Sequence, residues 1–122
     1  MATLTEGRHA AEFLLTEANG ARSRETVTLA ESQSVVPGSV LGKVTASGEY
    51  GVLDPAAEDG LEAAAGVAFY AAATEAAETA PLVIIARDAE VNQHCLEWPS
   101  GITEPEKTAA IEQLAALGII AR

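Results

Sequence analysis

The side chains able to do chemistry are few and scattered. His94 and Cys95 are adjacent, and an imidazole beside a thiol is one way of activating a cysteine nucleophile. Neighbouring side chains point apart in an extended chain, so the pair reads as a half-buried small thiol next to a surface imidazole. Ser39 lies in Gly38-Ser39-Val40-Leu41-Gly42, which lacks the Gly-x-Ser-x-Gly spacing of a nucleophile elbow. Asp54, Glu58, Asp59 and Glu62 gather carboxylates as a calcium loop does, yet without the alternating ligands and closing Glu of an EF-hand. One Cys with His9 and His94 far apart gives no zinc spacing, and no glycine-rich phosphate loop ends in Lys-Ser or Lys-Thr. The expectation is no catalytic, cofactor-binding or metal site, hence a protein that binds or assembles and is not an enzyme.

Charge narrows the partners. The 122 residues carry 7 Lys and Arg against 18 Asp and Glu, a formal charge of −11. Nucleic-acid binding depends on cations that displace condensed counterions, so an acidic chain with no basic stripe argues against it. Residues 44–86 contain no Lys or Arg at all, but hold Glu49, Asp54, Glu58, Asp59, Glu62, Glu75 and Glu78. Such a stretch repels nucleic acid and anionic lipid, and reads as a solvated face or as a match for a basic partner. The longest apolar run, 63–73, is mostly Ala and falls short of the roughly 20 residues a membrane-spanning helix needs. A lone Cys95 builds no disulfide framework, and the first 13 residues lack the apolar stretch of a secretory signal, so synthesis in a reducing cytoplasm is expected.

The elements that must position any contact residues are short. Residues 1–12 hold one large apolar side chain, Leu4, and read as an N-terminal arm ahead of a single domain, 13–122. Asn19-Gly20 marks a turn, and Thr26-Val27-Thr28-Leu29 alternates like a half-buried strand. Pro37-Gly38 turns the chain into Val40-Leu41-Gly42-Lys43-Val44, where Gly42 marks a bulge or a close backbone crossing. Asp54-Pro55 and Asp59-Gly60 break the chain again. Residues 65–70 suit a strand, although 63–77 suit a helix on alanine propensity alone. Pro81-Leu82-Val83-Ile84-Ile85-Ala86 reads as a strand covered on both faces. Thr103-Glu104-Pro105-Glu106 is a capping box, followed by a helix with Ala110, Ile111, Leu114, Ala115 and Leu117 on its apolar face and Gly118 to end it. The fold class is α+β, mainly β: a small barrel or sandwich with one C-terminal helix and an extended N-terminal arm.

Taken in order, several segments resemble one family. They are Ala18-Asn19-Gly20, the run Ser23 to Leu29, Pro37 to Val44, Leu53-Asp54-Pro55 with Asp59-Gly60, Ala65-Gly66-Val67, Val83 to Asn92, Leu96-Glu97-Trp98-Pro99, and Ala116-Leu117-Gly118-Ile119-Ile120. Across roughly residues 12–122 the chain is similar to the small head decoration proteins of tailed phages and prophages, the phage lambda head protein D family. That resemblance implies a β-rich homotrimer on the capsid exterior that cements the expanded head, with the major capsid protein as partner.

Four segments are candidates for contact. Thr3-Leu4-Thr5, and with them Phe13-Leu14-Leu15, suit an arm that adds as a strand to a capsid subunit; for Phe13 to Leu15 an internal strand is the competing reading. Trp98-Pro99 suits an interface anchor or a cap on the domain's own core, and Ile119 and Ile120 are open to the same two readings. A rival in another class is a cytoplasmic small-barrel module that binds a ligand or protein at the rim formed by residues 37–44.

Overall fold

Turn chemistry divides the described residues into ten short strands and one α-helix. The computed structural model describes residues 9–122. The strands are β1 (Leu14–Glu17), β2 (Arg24–Leu29), β3 (Ser34–Val35), β4 (Val40–Lys43), β5 (Tyr50–Val52), β6 (Ala64–Ala68), β7 (Ala72–Ala73), β8 (Ala80–Ile85), β9 (Ala89–Val91) and β10 (Ile119–Ala121), with helix α1 (Glu104–Ala116) before the last. Gly20, Gly38, Gly60 and Gly118 all adopt positive φ at the turns where the sequence places them.

Strands β2, β5, β4, β6 and β8 close into a barrel in that order. The β2–β8 pair is antiparallel along all six residues of each, whereas β2 meets β5 only at Leu29 and Tyr50, in parallel. Gly42 serves both expected purposes: the register shifts beside it in the β4–β6 pair, and a Cβ there would lie 2.6 Å from the Leu61 backbone. The alanine-rich stretch resolves as strand β6, not helix. Its small side chains fit a strand enclosed on both sides, and even a Cβ on Gly66 would crowd Ile84 and Ile85 at 3.0 Å. Strand β8 is likewise enclosed, with Leu82, Ile84 and Ile85 all buried.

A second layer covers one side of the barrel. Strand β9 is the centre of a three-stranded sheet, antiparallel to β1 and parallel to β10, so Leu14 and Ala121 both stand opposite Val91. The two ends of the domain therefore lie on either side of one strand. Buried Ser23 pins this layer to the barrel by accepting the Ala18 N–H at 2.9 Å and donating to the Asp88 carbonyl at 2.7 Å.

Helix α1 begins at the expected capping box. The Thr103 hydroxyl accepts the Glu106 N–H at 3.3 Å, and the Glu106 carboxylate accepts the Thr103 N–H at 2.9 Å. Its apolar face is narrower than the sequence suggests: Ala110 and Leu114 are buried and Ile111 half-buried, but Ala115 and Leu117 are exposed. The helix contacts the body along an i, i+4 stripe, held by Gln113, whose Oε1 accepts the Ala64 N–H at 2.8 Å.

Two apolar clusters result. Leu29, Val35, Leu41, Ala68, Leu82 and Ile84 form one in and around the barrel. The larger joins barrel, sheet and helix through Phe13, Val67, Phe69, Ile85, Val91, Leu114 and Ile119, among others.

Candidate interaction surfaces

Strand β1 has a bulge between Leu14 and Thr16, and this irregularity splits the first apolar triplet. Phe13 is wholly buried and packs edge-on to Phe69, with ring centroids 6.4 Å apart. Leu14 is half-buried against the same cluster, while Leu15 at the bulge is 50% exposed. Phe13 therefore belongs to the domain's own core and Leu14 to an internal strand; of the three, Leu15 alone presents its side chain outward. Thr3, Leu4 and Thr5 lie outside the described residues. Residues 9–12 make a turn, with the Glu12 N–H donating to the His9 carbonyl at 3.2 Å and Ala11 resting on the core.

The two C-terminal isoleucines part in the same way. Ile119 is buried, and Ile120, one residue on in a strand, is 37% exposed on the opposite face. Thr16, Glu90 and Ile120 stand in register across the outer face of the β1–β9–β10 sheet. Glu90 ties the three strands together: its carboxylate accepts from Arg122 Nε at 2.6 Å and from the Thr16 hydroxyl at 3.0 Å. The Arg122 hydrogen bond, then that of Thr16, holds the Glu90 carboxyl below its ordinary range. Behind the sheet Glu17 takes two hydrogen bonds from Arg24, at 2.6 and 3.0 Å, which lower its carboxyl likewise. Arg24 in turn lies over the Phe69 ring, 4.2 Å from its centroid.

Trp98 is positioned by backbone. Glu97 donates its N–H to Gly38 and accepts from Val40, strapping the 96–98 segment to the start of β4. The indole rests half-buried on the larger cluster and borders a 280 Å³ depression with His94, Lys107 and Ile111. Pro99, also half-buried, borders a separate 420 Å³ depression with Leu53, Asp54 and Ile102.

The chemistry-bearing residues do not converge. His94 is exposed in a single 3₁₀ turn (Gln93–Cys95) and Cys95 is half-buried against the core. The acids of the 54–62 loop organise their own backbone: Asp54 accepts the Ala56 N–H, Asp59 the Leu61 N–H and Glu62 the Gly60 N–H. Among the described residues no three His, Cys, Asp or Glu side chains come together as metal ligands, and no helix is long and apolar enough to cross a membrane. Sequence reasoning passed over Val36, Tyr70 and Leu117, which are large, apolar and at least 36% exposed. Period counting assigned Leu117 to the core; nothing in the local pattern marks Val36 or Tyr70.

A small barrel carrying a sheet built from both chain ends, with apolar and charged side chains mixed on its outer surfaces, is a scaffold for contact with other proteins. The family described as bacteriophage lambda head decoration protein D matches residues 3–119, and the chain belongs to that family. It is a family of structural capsid decoration proteins. No curated protein matches the chain.

Proposed function

We propose that the protein binds the exterior of the expanded phage head as a homotrimer, with the major capsid protein as its partner, and stabilises the shell. The observation that carries this reading is the family match over residues 3–119. The mechanism is linkage: a ligand that binds the expanded shell better than its precursor shifts the equilibrium by the difference in binding free energy. The N-terminal arm, through Thr3, Leu4 and Thr5, adds to a capsid strand. The outer face of the β1–β9–β10 sheet, with Leu15 and Ile120, lies where that arm enters the domain. Three arms on one trimer make each later contact intramolecular, raising affinity about 10²–10⁴-fold. Trp98 and Pro99 are a second contact, between subunits or with the shell.

The test uses expanded heads lacking the protein. Added wild-type protein binds and raises their resistance to heat or chelator, and light scattering finds a trimer. Deleting residues 1–8 leaves Ala11 and its turn on the core, so the variant unfolds as the wild type does yet binds heads poorly. Undiminished binding by that variant removes the arm, and failure of the full chain to bind removes the capsid role.

A further inference from the structure

Any contact of this chain with itself works against its own charge. Two copies at −11 each repel, and residues next to a three-fold axis are brought up against their own copies. A different protein can meet carboxylates with cations, whereas a second copy brings the same surplus of acid. Copies therefore meet best on an apolar surface with no charge at its centre. Most of the large apolar side chains exposed on the described residues stand among charges. Leu117 borders a depression shared with Glu25, Lys43, Arg87 and Asp88; Ile120 stands in register with Glu90, and Leu15 precedes Thr16, which bonds to Glu90. Val36 and Tyr70 differ. They belong to residues 33–42 and 63–74, and neither stretch contains an Asp, Glu, Lys or Arg.

The fold joins these two stretches as the β3–β7 ribbon, with Ser34 opposite Ala73 and Val35 opposite Ala72. Val35 turns inward to the barrel cluster, so Ser34 and Val36 face out, and Tyr70, Ala71 and Ala73 are exposed beside them. Charge is confined to the rim. Glu31 and Glu75 lie beyond the Ser34 end, where the Glu31 carboxylate accepts the Ala77 N–H and the Glu75 carbonyl accepts the Ser32 N–H. Glu97 lies at the other end, its N–H donated to the Gly38 carbonyl. Arg24, over the Phe69 ring, is already paired with Glu17. The Tyr70 ring packs edge-on to Phe69 with centroids 4.8 Å apart, so it is held in place at the surface while 47% exposed. We propose that the outward face of the β3–β7 ribbon, centred on Val36, Tyr70 and Ala71, is where copies of this chain meet beside the three-fold axis; the inference rests on the trimeric reading above. An uncharged centre within a charged rim, anchored by a preplaced Tyr, is the anatomy of a protein interface. A two-stranded ribbon is also marginal by itself and gains from cover.

Sedimentation of the full chain tests this with Tyr70→Ala, which removes the anchor, and Ala71→Glu, which sets three carboxylates beside the axis. Leu117→Glu is the control, an equal charge on another exposed site. All three side chains are exposed, so the fold is expected to persist, and circular dichroism checks it. Each ribbon change is expected to weaken trimerisation about tenfold or more and the control to leave it unchanged. Added salt is expected to tighten the wild-type trimer, because it screens the repulsion between copies and leaves an apolar contact intact. Ribbon variants as trimeric as the wild type, equal weakening by Leu117→Glu, or a wild-type trimer loosened by salt overturns the inference and leaves the trimer standing. A monomeric wild type overturns the trimer as well.

Discussion

The barrel and the layer laid against it are built from different parts of the chain. All five barrel strands fall between Arg24 and Ile85, and their cluster of Leu29, Leu41, Leu82 and Ile84 needs nothing from either end. The layer of β1, β9, β10 and α1 takes Phe13 from one end and Ile119 from the other into one buried cluster with Val91. Contacts between distant parts of a chain cost more closure entropy than local ones, so this layer is expected to form after the barrel. It also carries the outer face with exposed Leu15 and Ile120.

Removing the largest side chain of the shared cluster is the strongest way to break this contrast. Phe13→Ala is expected to cost about 3–5 kcal/mol in chemical denaturation, the usual penalty for a wholly buried Phe. Leu41→Ala, its counterpart in the barrel cluster, should cost about 2–5 kcal/mol. Hydrogen exchange separates them. The first should release the amides of β1, β9 and β10 more than those of β6 and β8, and the second should release all of them together. Equal loss everywhere in Phe13→Ala would mean the two layers unfold as one unit.

A smaller effect is expected where the barrel is tightest. At Gly42 an added Cβ meets the backbone of Leu61, in the loop before β6, at 2.6 Å, so strand β4 or that loop must shift. Gly42→Ala should therefore destabilise by about 1–3 kcal/mol despite the gain in strand propensity, measured by thermal or denaturant unfolding.

Gly42 also shows what was legible in advance. Some roles were readable from local pattern: the Thr103 capping box and Gly118 at positive φ after the helix each state a constraint within a few residues of themselves. Gly42 and the enclosed strand β8 were readable from residue type, a glycine inside a strand and an unbroken apolar run. Residues whose role depends on distant cover were not. Alternation puts Ile119 and Ile120 on opposite faces, but only the β9 pairing says which face is inside. The bulge in β1 that sends Phe13 inward and Leu15 outward leaves no mark in Phe-Leu-Leu. Leu117 follows the helical period and is still exposed, because the fully buried stripe of the helix is only Ala110 and Leu114.

The helix offers a milder test of the outer layer. Thr103→Ala removes the acceptor for the Glu106 N–H and should cost about 1 kcal/mol. The loss should appear first as faster exchange in the opening turn of α1, with the barrel strands unchanged. If barrel protection falls in step, the helix is coupled to the barrel more tightly than the stripe of Ala110 and Leu114 implies.

The slightest expected effect is a slope with pH, and it bears on how the two layers are joined. The Glu17 carboxyl is held below its ordinary value of 4.5 chiefly by the Arg24 hydrogen bonds, and Glu90 by those of Arg122 and Thr16. A carboxyl with a lower value in the folded than in the unfolded chain adds stability that is complete above the unfolded value. That stability is lost as pH falls through the folded one, because the unfolded state then binds more protons. Glu17 sits on β1 and Arg24 on β2, so this ion pair crosses from the outer sheet to the barrel and stands beside Phe69. Glu17→Gln should lower stability at neutral pH and converge with the wild type as pH falls below the ordinary carboxylate range, where the carboxylate it replaces becomes protonated in the folded chain too. Glu90→Gln should follow the same course with a shallower slope, since Glu90 and Arg122 are more open to solvent and their attraction is screened. A wild-type curve parallel to that of Glu17→Gln across this range would show that the ion pair adds nothing to the seam.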